Sequence, residues 1–386
     1  MNRFKLTNVY MRVNFLRSAD LILLGAVTVL TVAGIVLMGL EGLRSESIWM
    51  QAVKQSLFLV IGFTIFFVFS RLDLRFLRTR SVWVLLPYIV TIVSLLIVLF
   101  LGVRVRGAAS WFHIGPFTIE PIEFVKISVI LLLAKYFSLR HAELEQFRHV
   151  FISGAYVGIP VAIAVFQPDM GAAVVLSFIW FGILLFLELP KRQTIFLIGS
   201  GVLVAAFAWV AVLAPYQKSR ITSFARGEDP QGTGYHARQA LIAVGSGGFF
   251  GKSFDEPTQA SQNFLPESTT DFIFAAFAER FGFAGISVVL GAFAVLIWRI
   301  IRIASGATNN FIRAIAAGTA LLFFAHAFIH VGMNLGLVPV TGLPMPFMSY
   351  GGSHIISGFV LLGILESLRR HQAQLLLGQE VDIETV

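Results

Sequence analysis

Apolar residues gather along this chain into runs of about 17 to 30, and polar residues are largely confined to the stretches between them. A helix rises about 1.5 Å per residue, so runs of that length cross a hydrocarbon core roughly 30 Å thick. The pattern predicts spans at residues 18–41, 50–70, 81–102, 121–138, 150–167, 170–189, 194–214, 271–298, 312–336 and 350–368. The expected fold class is an all-α polytopic membrane protein of about ten transmembrane helices. Residues 1–17 then form an N-terminal tail, 18–370 a single transmembrane domain, and 371–386 a C-terminal tail. Two polar segments interrupt the short connections: 103–120, and the stretch 215–270 between helices 7 and 8, which at about 55 residues is far longer than a median loop.

Composition agrees. Only 13% of the 386 residues are charged and 57% are apolar, whereas a soluble domain carries roughly a quarter charged residues. The basic start (Arg3, Lys5, Arg12, Arg17) leads into an apolar stretch too long for the core of a cleavable signal, so the first span is expected to stay in the protein. Cysteine is absent, which excludes disulfides and thiolate metal sites and says nothing about compartment. No internal repeat suggests the paired halves of many transporters.

The formal charge of +8 is distributed by topology. Arg71, Arg75, Arg78 and Arg80 follow span two; Lys135, Arg140 and Arg148 follow span four; Lys191 and Arg192 follow span six; Arg299, Arg302 and Arg313 follow span eight. Basic connections belong in the cytoplasm. Both termini are then expected inside and the two long segments outside. Basic residues scattered in this way, with no recognisable module, argue against a nucleic-acid partner.

The long external segment contains Gly245-Ser246-Gly247-Gly248-Phe249-Phe250-Gly251-Lys252-Ser253, which imitates a phosphate-binding loop. That loop needs four residues between its first glycine and Gly-Lys-Ser. Here Gly245 leaves five, Gly247 leaves three, and no strand precedes, so a nucleotide-binding fold is excluded. Two readings remain. Backbone amides of the bend line an anion site suited to a pyrophosphate, with Arg238 and Lys252 as counter-charges; or the glycines only let a re-entrant segment turn, and the cations meet lipid headgroups.

Further on, Leu265-Pro266-Glu267-Ser268-Thr269-Thr270-Asp271 leads into span eight. Asp271 at its mouth is either a first-turn acid favoured by the helix dipole or a reactive carboxylate. Glu279, on the same face about 12 Å deeper, and Arg280 interrupt an apolar run. At that depth they are expected to face a partner helix or a wet cavity. Pro121-Ile122-Glu123-Phe124-Val125-Lys126 opens span four, with Glu123 and Lys126 on one face as a structural ion pair or as contacts for an anionic substrate. Gln167-Pro168-Asp169 is an external turn or a third polar group. His326 and His330 lie one helical turn apart without nearby acids, so no metal site is assigned. No nucleophile elbow stands out.

In this order the segments resemble the SEDS family (shape, elongation, division and sporulation), which includes RodA and FtsW. The resemblance runs from about Leu21 to Arg370. It is carried by Gln167-Pro168-Asp169-Met170-Gly171, by Asp229 through Gly234-Tyr235 to Gly251-Lys252, and by Leu265-Pro266-Glu267 with Thr270-Asp271-Phe272-Ile273-Phe274. Two further pieces are Gly332-Met333-Asn334-Leu335-Gly336, running to Val340-Thr341-Gly342, and Pro346-Phe347-Met348-Ser349-Tyr350-Gly351-Gly352-Ser353. The Pro-Val-Thr-Gly-Leu-Pro and Gly-Lys forms are more similar to RodA, the elongation member.

The resemblance implies a peptidoglycan glycosyltransferase of the bacterial cytoplasmic membrane, joining lipid II units to a nascent glycan strand on the external face. Asp271 matches the family's essential acid. Trp111, Glu123, Lys126, Gln167, Asp169, Arg238, Lys252, Glu267, Thr270 and Glu279 become candidate substrate-binding residues. Lys126, Arg238 and Lys252 are the cations expected to stabilise the leaving pyrophosphate. Membrane lipids and a single-span class B penicillin-binding protein are the implied partners. No cofactor is implied, and no ligands for a divalent cation can be identified. Departures from the family pattern are Ser110 before Trp111, with Arg104 or Arg106 as substitute charge, Glu120-Pro121-Ile122-Glu123 for Gln-Pro-Ser-Glu, Ser268-Thr269, Arg280 for an acid, and His330 and His354 for Asn and a small residue. Two other functions fit the same sequence: a lipid II flippase, and a non-catalytic membrane scaffold for the transpeptidase.

Overall fold

A computed structural model describes residues 20–105, 108–114, 117–140, 145–226, 233–253, 255–262 and 264–384. The predicted N-terminal tail 1–17, Arg106 and Asp229-Pro230 lie outside the described residues.

A long helix stands at each apolar run: α1 (Leu21–Gly42), α2 (Glu46–Arg71), α3 (Val82–Leu101), α4 (Pro121–Arg140), α5 (Phe147–Phe166), α6 (Met170–Phe186) and α7 (Lys191–Phe207). Two helices inside the long polar segment follow, α8 (Pro215–Arg226) and α9 (Thr233–Ser246), then α10 (Ile273–Ser305), α11 (Asn310–Asn334) and α12 (Gly352–Glu384). Local chemistry sets several starts. Asp20, Asp169 and Asn309 cap α1, α6 and α11, each side chain accepting an amide N–H of the first turn at 2.9–3.1 Å. Pro121 occupies the first position of α4, where its missing N–H costs nothing.

Seven of these helices are long and apolar enough to cross a membrane by length and composition, namely α1, α2, α3, α5, α7, α10 and α11. Among the other predicted spans, α6 is shorter at 17 residues, α4 carries Glu123, Lys126 and Lys135, and α12 carries Glu366, Arg369 and Arg370. The bundle centres on α11, 72% of whose apolar window is buried, packed on α4, α6 and α10; α7, at 6%, faces outward along most of its length. Close helix contacts use small residues, as at Gly62, where a Cβ would come within 2.2 Å of the Phe359 ring.

The structure adds to the expected all-α class in three places. Segment 103–120 forms a small antiparallel sheet, β1 (Val103–Val105), β2 (Ala108–Ile114) and β3 (Phe117–Ile119), in the order β1-β2-β3. Its β-branched and aromatic residues favour extended backbone. The expected C-terminal tail begins inside α12, which continues to Glu384. The eighth predicted span is a broken helix: α10 is interrupted at Gly282, whose φ of 65° and ψ of −166° lie outside the helical region.

Candidate functional site

The break in α10 explains the glycine-rich run. Missing a turn at Gly282, the helix frees the Phe283 and Ala284 N–H groups, which donate to the Gly248 and Phe249 carbonyls at 3.0 Å each. The Lys252 N–H returns to the Glu279 carbonyl at 3.0 Å, and the Gly251 N–H closes on the Gly247 carbonyl at 2.8 Å. Two of the amides considered for an anion cradle are thus used inside the protein. Glycine is required because the backbones touch: a Cβ on Gly251, at φ +84°, would lie 2.2 Å from the Arg280 carbonyl oxygen.

Two ion pairs secure the same joint, one buried and one with Lys252 partly exposed. Glu279 meets Lys252 Nζ at 2.6 Å and accepts the Gln259 N–H at 2.9 Å and the Ser246 hydroxyl at 3.3 Å. Arg280 meets Glu41 of α1 at 2.7 Å and donates to the Ser253 carbonyl at 2.9 Å. Glu279 and Arg280 therefore face the interior, as their cost in hydrocarbon requires.

Asp271 lies in the turn before α10, and the backbone around it is held from three sides. The Thr269 carbonyl accepts the Tyr350 N–H at 2.9 Å, the Thr270 carbonyl accepts the Ser349 hydroxyl at 2.8 Å, and the Asp271 carbonyl accepts Asn334 Nδ2 at 3.0 Å. Glu267, in the left-handed region at φ 56°, turns the chain; its carboxylate accepts the Thr270 hydroxyl at 2.9 Å. The Asp271 side chain stays half-buried, with the Gly342 bend as its wall: a Cβ on Gly342 would sit 3.6 Å from Oδ2.

Across the 342–353 segment lies a second charged group. Lys126 Nζ is 2.7 Å from Glu123 and 3.0 Å from His326 Nε2, and it is only 1% exposed. Glu123 also meets His354 Nδ1 at 3.2 Å and the Ser357 hydroxyl at 3.3 Å. His326 and His330 turn their Nδ1 atoms to the Pro344 and Leu343 carbonyls. The histidines thus tie the Glu123–Lys126 pair to the segment that walls Asp271. Among the described residues no group of three or more histidine or acidic side chains could hold a metal.

Above this pair, the Glu120 N–H donates to the Ser353 hydroxyl at 3.0 Å, and its carboxylate accepts from Trp111. Burial pushes the Glu120 carboxyl up to about 8, and the Glu123 and Asp169 charges act in the same direction. Burial also raises Asp169, opposed by the Ala172 N–H it accepts and by Lys126. Gln167 is buried and donates to the Leu95 carbonyl at 2.7 Å, tying the turn before α6 to α3. Arg238 is exposed on α9, whose His236 ring lies 6.3 Å from Phe272.

Nine of the eleven candidates fall into three groups: Glu267, Thr270 and Asp271; Trp111, Glu123, Lys126 and Asp169; and Lys252 with Glu279. Gln167, bonded to the Leu95 carbonyl, and Arg238, exposed on α9, are not among them. Reading the sequence missed the residues that hold these groups: Asn334, Ser349, Glu41, and Gln55, which donates to the Ser349 carbonyl at 3.0 Å and accepts the Gly351 N–H at 3.3 Å. Gln55 and Glu41 carried a signal, since each is a polar residue set within or at the end of an apolar run.

Comparison with known proteins decides what this arrangement belongs to. Residues 12–374 match the family described as cell cycle protein, which groups FtsW, RodA and SpoVE. The chain is a member of that family. The peptidoglycan glycosyltransferase MrdB of Helicobacter pylori is 36% identical over 329 residues, 84% of this chain and 84% of the relative. Among solved structures of the family, RodA of Thermus thermophilus aligns with a TM-score of 0.67 at 26% identity, over 92% of this chain and 98% of that one. A chain from work on the coordination of polymerization and crosslinking by a peptidoglycan synthase complex aligns with a TM-score of 0.79 at 25% identity, over 92% and 99%. This member of the family is accordingly a multi-pass membrane protein.

Proposed function

We propose that this chain polymerises peptidoglycan glycan strands from lipid II, with Asp271 as the general base. The reading is supported above all by the half-buried Asp271 carboxylate, set on a backbone whose neighbouring carbonyls are each held by a partner, in a chain 36% identical to a peptidoglycan glycosyltransferase. Asp271 takes the proton of the acceptor 4-hydroxyl as that oxygen bonds to the anomeric carbon of the donor sugar. The bond from that carbon to phosphate breaks, and undecaprenyl pyrophosphate leaves. A positioned base contributes about 10² to 10⁴ in rate. Arg238 is exposed and Lys252 partly so; we assign the pyrophosphate contact to these two and to buried Lys126 the neutralisation of Glu123.

The basic connections favour cytoplasmic termini and an active site on the external face. The match to a chain from a peptidoglycan synthase complex favours a class B penicillin-binding protein as partner, and the RodA-like motifs favour a role in elongation. The test is glycan-chain formation from labelled lipid II by the purified protein, alone and with that partner, comparing wild type with Asp271→Asn. Polymer from wild type and none from a folded variant supports the reading. Equal polymer from both removes Asp271 from the mechanism, and none from either, even with the partner, transfers the case to a flippase or a scaffold.

A further inference from the structure

At the end of the bundle opposite Asp271, α10, α11 and α12 line an open pocket of about 170 Å³, an order of magnitude more than the roughly 10–15 Å³ that admits one water. Arg299 and Arg302, one turn apart on α10, and Arg369 of α12 line it. The cavity is built from both sides. Arg299 is oriented by Asp20 and Arg369 by Glu366, whose side chains are 1% and 2% exposed, while the two arginines remain 29% and 27% exposed. Gln372 fixes the floor by accepting the Thr308 N–H at 3.2 Å and donating to the Gly306 carbonyl at 2.8 Å.

Charge in this cavity is unbalanced. Among the described residues two carboxylates face three guanidinium groups. Arg302, its guanidinium 5.3 Å from the centre of the Trp298 ring, has no carboxylate partner among the described residues. Planar guanidinium forks match phosphate oxygens in pairs, and phosphate is the anion that a membrane presents where helices end in basic connections. We propose that this cavity is a binding site for a phosphate ester, either the headgroup of an anionic phospholipid or a soluble phosphate.

A ligand there would join three helices whose other ends build the Asp271 site. The turn holding Asp271 opens α10, Asn334 near the end of α11 donates to the Asp271 carbonyl, and α12 follows directly on the segment bearing Ser349. The site nevertheless stands independently of the proposed reaction, because its test reads binding and melting.

The full-length protein in neutral detergent is titrated with phosphatidylglycerol, with phosphatidylcholine and with inorganic phosphate. Retained ligand is followed by native mass spectrometry and stability by thermal melting. Wild type is compared with Arg302→Gln and with Arg302→Lys, which keeps the charge without the fork. Phosphatidylglycerol should bind and raise the melting temperature while phosphatidylcholine does neither, and Arg302→Gln should weaken binding about tenfold or more. Arg302→Lys should fall between. Protection by inorganic phosphate, with the same loss in Arg302→Gln, identifies a soluble phosphate as the ligand. If neither anion protects wild type, or if both variants bind as wild type does, the proposal is overturned.

Discussion

Asn334 should matter to turnover although it is fully buried. Phe272, at the cap position of α10, offers no side-chain acceptor to the first turn. Asn334 supplies it from α11: Oδ1 accepts the Ala275 N–H at 3.1 Å, and Nδ2 donates to the Asp271 carbonyl at 3.0 Å and to the His330 carbonyl at 2.8 Å. Truncation to alanine removes an N-cap worth about 1 kcal/mol. It also leaves the Ala275 N–H buried without a partner, which costs about 1–3 kcal/mol. The two overlap, because one bond accounts for both, so Asn334→Ala should lose about 1–3 kcal/mol of stability. The larger effect is on position. A displacement of about 1 Å in a reacting group can cost about 10²-fold in rate, and Asn334 is one of three groups fixing the backbone around Asp271. In the lipid II polymerisation assay, kcat should fall by about that factor with KM little changed, while the protein still melts cooperatively. Wild-type kcat in a variant verified to be folded would refute the idea that this side chain positions the base.

Three other changes probe the same framework. The folded protein holds a proton on Glu120 that the unfolded chain releases between its ordinary value of 4.5 and about 8, so this group favours the fold progressively less as pH rises through that window. Glu120→Gln should flatten part of the resulting decline in melting temperature, and an unchanged pH slope would reject the assignment. Gly251→Ala forces a side chain into a left-handed position with a Cβ contact of 2.2 Å and should cost on the order of 2 kcal/mol or more, seen as lost monodisperse protein or a lower melting temperature. Arg280→Met should cost about 3–5 kcal/mol by stranding Glu41 without its partner, and adding Glu41→Leu should recover most of it; melting of the two single variants and the double tests this directly.

How far the sequence spoke depended on the distance between partners. The positions of the apolar helices were readable because each depends on a continuous apolar run, and the starts of α4 and α6 because Pro121 and Asp169 act within one turn; α8 and α9, in the polar segment, were not. The Glu123–Lys126 pair was visible at its three-residue spacing. Its other partners were not, since His326 and His354 lie 200 residues or more away in sequence. The same applies to Glu41 and Arg280, separated by 239 positions. Periodicity also passed straight through Gly282, because the residues on both sides are apolar and only the backbone reveals the break.

That break gives the glycine-rich run and the Asp271 turn a common purpose. The half-helix between Asp271 and Gly282 is too short to be stable alone, so each end must be held by something outside it. Asn334 and Ser349 hold the start, and the Gly248 and Phe249 carbonyls take up the N–H groups freed just past its end. Glu279 and Arg280, near that end, bind the half-helix to the bend and to α1 through Lys252 and Glu41. Charges that would be costly in hydrocarbon are thereby placed where they fix the element carrying Asp271, the proposed base. Preorganisation of Asp271 follows from these attachments, and loosening the Asn334 or Ser349 attachment should lower turnover before it unfolds the bundle.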